Sequence, residues 1–193
     1  MPRFIVFEGI DGSGKSTVAH ACLPLLGEGA AVLTEEPTKS WLGDAVRKAH
    51  QMRENPVTEA FLFMADRASH NEKIRKWLSE GLSVVCDRYY HSTVAYQSAA
   101  IADVDDSDSF EWLLEINRRI SIEPDLVFLL DIDPETALDR VNRRGEQSKF
   151  EKLAFLEKVA DNYRRLARSS KNIQVIDASD ALNEVVSEIS RRL

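Results

Sequence analysis

An α/β fold in three layers, with a five-stranded parallel sheet between two sets of helices, is what this sequence predicts. Short apolar runs of strand length alternate with longer stretches of helical periodicity, as in repeated βαβ units. The 193 residues, 44% hydrophobic and 30% charged, suit one domain better than two. A chain of this length buries roughly 70% of its unfolded surface and needs no staples to form a core.

The predicted strands are Arg3 to Phe7, Ala31 to Glu35, Leu82 to Cys86, Leu126 to Leu130 and Ile173 to Ile176. Helices are expected near Lys15 to Leu26, Leu42 to His50, Val57 to Glu80, Ser92 to Ala100, Ser107 to Ile120, Pro134 to Arg144, Glu151 to Arg168 and Asp180 to Arg192. Pro134 suits a first helical turn, and Gly81 separates a helix from the third strand. On the longest helix, Phe61, Met64, Ala65 and Ala68 follow i, i+3, i+4, i+7 and are expected to form the core stripe. The acidic run from Asp103 to Ser109 reads as a surface loop ending in a helix cap.

Cys22 and Cys86 sit in apolar settings and read as reduced core thiols rather than a disulfide or a metal pair. With 25 Lys+Arg against 32 Asp+Glu, the net charge of -7 disfavours a broad grip on nucleic acid. MPRFIVFEG enters a strand without the features of a leader, and nowhere do eighteen uncharged apolar residues run together. A cytoplasmic protein without membrane or nucleic-acid partners is expected. The four histidines, His20, His50, His70 and His91, show no zinc spacing, although His91 lies near other polar candidates.

Gly9-Ile10-Asp11-Gly12-Ser13-Gly14-Lys15-Ser16 satisfies G-x-x-x-x-G-K-[ST] between a predicted strand and helix. Such a P-loop curls so that successive N–H groups face phosphate oxygens, and the helix N-terminus adds partial positive charge. Lys15 then reaches the outer phosphates and Ser16 ligates magnesium, with Thr17 next in the ATP-binding set. GTPase switches, ATPases and small-molecule kinases share this loop. No N-K-x-D guanine reader follows, since Lys171-Asn172 is reversed, and no length is left for an effector domain. A small kinase is favoured, as a single P-loop domain over residues 1–193.

Asp87 follows Val84-Val85-Cys86 at a strand carboxyl end, where a carboxylate can hold the metal's water shell. Asp131, closing the fourth strand, is its rival and ranks second because no basic residue follows. Phe63 lies about 200° around the helix from Phe61, and Arg67 stacks one turn above Phe63. Together they offer an aromatic face and a fork of donors on an exposed stripe, suited to a base and its carbonyl, although packing of Phe63 under another helix explains the spacing too. Thr93 and Gln97 stand one turn apart, and Gln97 can donate and accept at once, as an imide edge requires. An ordinary polar helix face would look the same.

GIDGSGKST, EEPTKSWLG, LFMADRA, DRYYHSTVAYQ, PDLVFLLDIDPETALDRVNRRGE and FEKLAFLEKVADNYRRLA stand in the order and spacing of thymidylate kinases, and the chain resembles that family over nearly its whole length. The resemblance implies transfer of the γ-phosphoryl group of ATP to dTMP, with Mg²⁺ as cofactor, a short helical lid at about 140–150 and a homodimer as the assembly. It implies that Phe63 stacks on thymine, Arg67 reaches O4, Gln97 and Thr93 read the remaining edge, and Tyr96 blocks a ribose 2′-hydroxyl. Asp11 corresponds to an acidic residue near the sugar 3′-hydroxyl and metal, Arg47 and Arg88 to acceptor-phosphate ligands, and Glu36 to the acidic position after the second strand.

Two departures stand out. Gly12 occupies the place where one branch of the family carries arginine, so catalytic charge is expected from Arg140, Arg143 and Arg144, with Lys149 beyond them; the run is also what a solvated helix terminus carries. Ser98-Ala99-Ala100 replaces glycines after Tyr96-Gln97, which bears on the following loop. A kinase for another deoxynucleotide or nucleoside, or a P-loop switch protein without turnover, are the alternative readings.

Overall fold

The computed structural model describes residues 1–105, 108–141 and 149–193. Five strands, β1 (Phe4–Glu8), β2 (Ala31–Glu35), β3 (Ser83–Asp87), β4 (Leu126–Asp131) and β5 (Ile173–Asp177), form one parallel sheet in the order β2-β3-β1-β4-β5. The helices among the described residues are α1 (Lys15–Cys22), α2 (Trp41–Met52), α3 (Pro56–Ser79), α4 (Tyr90–Asp105), α5 (Phe110–Ile120), α6 (Pro134–Val141), α7 (Lys149–Ser169) and α8 (Leu182–Ser190). The α/β class and the five-stranded sheet are as predicted.

Every residue of central β1 is buried, so its uninterrupted FIVFE sequence is that of a strand covered on both faces. Residues Phe4, Phe7, Phe128 and Leu130 join side chains from α1, α4, α5 and α7 in a single core. Cys22 and Cys86 are free and buried there.

The first helix is shorter than expected. It ends at Cys22, and Leu23–Leu26 form a 3₁₀ turn because Pro24 lacks an N–H and clashes with the preceding turn of an α-helix. The fourth helix is longer, absorbing Asp103 to Asp105 from the acidic run, and Asp103 pairs with Lys158 on α7.

The predicted core stripe on α3 holds at Met64 and is corrected at its other three positions. Phe61 is 51% exposed, and Ala65 and Ala68 face solvent, whereas the buried face carries Ala60, Met64, Arg67, Asn71 and Ile74. Those five follow i, i+4, i+7, i+11, i+14. With Asp66 and His70, four of the seven buried residues of α3 are polar and find partners on other elements, so apolar periodicity alone misplaces most of the buried face. Phe61 instead meets Trp112 of α5 edge to face, ring centroids 6.2 Å apart, on the surface.

Candidate active site

The loop after β1 is shaped by glycines. At Gly12, φ is +89° and a Cβ would lie 2.2 Å from the carbonyl oxygen of Ala137 on α6, so no side chain fits. That contact gives the physical reason why arginine cannot stand here. Gly14 caps α1 in the left-handed region, and the Lys15 ammonium donates to the Ile10 carbonyl at 2.9 Å. Burial, with Arg88 nearby, pulls Lys15 down to about 7, against the partial opposition of Asp11, Asp87 and Glu8. Ser13 is buried; Ser16 and Thr17 are exposed at the helix start.

Asp87 reaches the loop because β3 pairs with β1 in the register Phe7↔Asp87. Ser16 Oγ donates to Asp87 Oδ2, while Asp87 Oδ1 is buried with no hydrogen-bond partner among the described residues. A hydroxyl beside an unpartnered carboxylate oxygen is a hard, all-oxygen donor set that fits Mg²⁺. The rival Asp131 is engaged by Arg164 at 3.2 Å.

Arg88 adopts φ 69°, unusual for a residue with a side chain. Its amide donates to the Phe7 carbonyl at 2.9 Å, its guanidinium pairs with Asp11 and donates to Ser92 Oγ at 3.1 Å, and it lies over the Tyr96 ring. The strained backbone turns this cation towards the phosphate loop. Tyr96 Oη in turn accepts from the Asp11 amide at 2.9 Å, so Tyr96 anchors the loop as well as lining the cleft.

A cleft of about 810 Å³ opens beside these groups. It brings together Asp11, Glu36, Arg47, Phe63, Arg67, Arg88, Thr93, Tyr96 and Gln97, all nine of the residues expected for an acceptor nucleotide. Arg67 differs from expectation in being fully buried rather than on an exposed stripe. Its Nε and Nη2 lie 2.9 and 2.7 Å from Glu36 Oε2, Nη1 donates to Asn117 Oδ1 at 2.6 Å, and Nη2 donates to Thr93 Oγ1 at 2.9 Å. Three of its five N–H groups make hydrogen bonds, one from each nitrogen, and Nη2 also lies against the Glu36 charge, so Nη1 keeps an N–H for a ligand. Glu36 has no free oxygen to offer, since Oε1 contacts His70 Nδ1 at 2.9 Å. It orients Arg67 from behind.

Arg47 donates to the Pro37 and Thr38 carbonyls at 3.1 and 2.8 Å and pairs with Asp44. Arg140 is exposed, donates to the Ala178 carbonyl at 3.2 Å, and does not line the cleft. Arg143 and Arg144 lie outside the described residues, as does most of the expected lid. His91 is buried, stacked on Tyr90 and away from the cleft.

Sequence reasoning missed Glu8. This buried carboxylate accepts from the Tyr89 and Ser92 amides at 2.8 and 3.2 Å, from Ser92 Oγ at 2.6 Å and from Tyr163 Oη at 2.9 Å. Although burial alone would raise its pKa, the contacts with His91 and Ser92 bring it below the usual carboxylate range. Glu8 thus ties the root of the phosphate loop to α4 and α7. A carboxylate inside a buried apolar strand was the available signal. Asn117, Tyr163 and Glu59 gave no comparable sign.

The family model for thymidylate kinase matches residues 7–189. Similar curated proteins include probable thymidylate kinases of Methanococcoides burtonii, 42% identical with 97% of this chain and 94% of the relative covered, and Methanosarcina barkeri, 42% identical with 99% and 95% covered. Another from Archaeoglobus fulgidus is 40% identical over 97% of this chain and 92% of its own. With a phosphate loop, a carboxylate at the β3 end and a cleft beside them, and with these likenesses spanning almost the full sequence, the chain belongs to the thymidylate kinase family.

Proposed function

We propose that this protein transfers the γ-phosphoryl group of ATP to the 5′-phosphate of dTMP, giving dTDP and ADP, as a single P-loop domain with a lid at about 140–150. The observation that carries the reading is the meeting of the phosphate loop, through the Asp11–Arg88 pair, with a cleft lined also by Phe63, Arg67 and Gln97. Lys15 and the loop amides hold the donor phosphates, while Arg88 and Arg47 supply charge for the acceptor phosphate. Phe63 stacks on the base and Tyr96 closes the sugar side. Mg²⁺ would be held by Ser16 and Asp87 and would neutralise charge on the triphosphate oxygens.

The acceptor phosphate is anionic near neutral pH, so the residues need only align two phosphates and stabilise the charge spread between them. A nucleoside acceptor would require a base for its hydroxyl proton, and Glu36 has both oxygens engaged. Arg143 and Arg144, outside the described residues, would supply the remaining charge, whereas Arg140 is held at the Ala178 carbonyl.

We further propose a cytoplasmic homodimer that uses the exposed Phe61 and Trp112 surface; no helix among the described residues is long and apolar enough to cross a membrane. Sedimentation showing a monomer at micromolar concentration would remove the dimer. An ADP-release assay over a panel of nucleoside monophosphates tests the activity. The expected order is dTMP, dUMP, then dCMP, and Lys15→Ala should lose more than about a hundredfold in turnover while remaining folded. A folded Lys15→Ala protein with near-normal turnover, or a wild type indifferent to dTMP, would overturn the reading.

A further inference from the structure

At the base end of the cleft, a half-buried carboxylate has no part in the phosphate chemistry. Glu59, on α3, has a side chain only 12% exposed, and its Oε2 accepts from Gln97 Nε2 at 3.4 Å. Its Oε1 lies 3.6 Å from His50 Nδ1. All three residues line the cleft. Gln97 is buried, on the same face of α4 as Thr93, which accepts from Arg67.

An amide side chain has two ends of similar shape and opposite hydrogen-bonding sense. An ionised carboxylate only accepts, so Gln97 must turn its NH₂ group to Glu59, and its Oε1 is the end left for a ligand. We propose that Glu59 is a positioning residue that fixes the orientation of the Gln97 amide, so that the cleft presents an acceptor where the base presents N3. The inference rests on the dTMP kinase reading and adds the origin of its base selectivity.

Two neighbouring groups then read two neighbouring atoms. Arg67, which can only donate, meets the carbonyl at position 4, and the fixed Oε1 meets the N3–H. Cytosine reverses both, with an amine at position 4 and an unprotonated N3. Arg67 cannot adapt to it. Gln97 could, by turning over, were Glu59 not there: rotation would place its oxygen against the carboxylate and forfeit a charge-assisted hydrogen bond. Glu59 therefore converts an ambiguous reader into a specific one.

The test compares dTMP with 5-methyl-dCMP, which keeps the methyl group and changes only the edge being read, and uses dUMP as a control. In Glu59→Gln, an isosteric change, the new amide accepts either orientation of Gln97. The expected result is a rise of about tenfold in kcat/KM for 5-methyl-dCMP relative to dTMP, carried mainly by KM, with the dUMP to dTMP ratio unchanged. Glu59→Ala should shift the ratio in the same direction. An unaltered 5-methyl-dCMP to dTMP ratio in both variants, or an equal fall for all three nucleotides, would overturn the proposal and leave Glu59 a purely structural role. Failure of the underlying reading would show instead in the wild type, as no preference for dTMP.

Discussion

Glu36→Gln isolates the electrostatics beneath the base site, because it removes one charge and almost no volume. Arg67 is fully buried, and Glu36 supplies its counter-charge through two contacts of 2.9 and 2.7 Å to a single oxygen. Glutamine can still offer a carbonyl to Arg67 and an NH₂ to His70, so the geometry survives while the guanidinium loses its compensating charge. Removing one partner of a buried ion pair costs about 3 to 5 kcal/mol, and the retained acceptor puts the expectation near the lower end, about 3 kcal/mol. For a domain of this size that corresponds to a fall in Tm of about 6–12 °C. The assay is thermal unfolding with a parallel urea titration, in Glu36→Gln, Arg67→Met and the double variant. Because the double variant contains no uncompensated charge, it should cost at least about 2 kcal/mol less than the sum of the single changes. A fall below about 2 °C in Glu36→Gln, together with additive costs, would refute the reasoning.

The phosphate loop offers further expectations. With Lys15 held near pH 7 in the free protein, ATP must raise its pKa, since phosphate charge favours the ammonium. Binding therefore takes up a proton above pH 7, and ATP affinity should fall by up to about tenfold per pH unit there, levelling off below pH 7. Calorimetry at pH 8 in two buffers of different ionisation enthalpy reads the uptake, and identical enthalpies would contradict it. Gly12→Ala drives a Cβ into the Ala137 carbonyl and should destabilise by more than about 2 kcal/mol, whereas Gly14→Ala, with nothing within 4 Å, should lose only the strain of a left-handed backbone, about 1–2 kcal/mol. Equal losses by thermal unfolding would show that the α6 contact is soft. Tyr96→Phe keeps the ring and so the preference for dTMP over ribo-TMP, but it removes the acceptor of the Asp11 amide and should raise the KM for ATP. Tyr96→Ala should relax sugar choice too, and unchanged discrimination in that variant would release Tyr96 from the role.

Much of this molecule is local in origin. The phosphate loop is written in consecutive residues because its function lies in the backbone, whose curl depends on glycines and whose position depends on the strand before and the helix after it. Asp87 was legible for a similar reason: a carboxylate ending an apolar strand lies at the edge of the sheet where loops converge. The cleft residues were named by the family resemblance of their motifs, because residue type and spacing alone left ordinary packing open, and their states could not be read. Arg67 looked like a donor on an exposed stripe, and it is buried because Glu36, Asn117 and Thr93, respectively 31, 50 and 26 positions away, satisfy its charge and hydrogen bonds. That same pairing turned the buried face of α3 away from Phe61, Ala65 and Ala68, since a polar face can turn inward once partners from other elements meet it. Glu8 and Tyr163, 155 positions apart, acquire a shared role only when β1 and α7 pack together. Hydrogen-bonding sense follows the same rule: the sequence contains Gln97, but which end of its amide faces the cleft is decided by Glu59 on another helix, because two ends of nearly equal shape are distinguished only by the charge beside them.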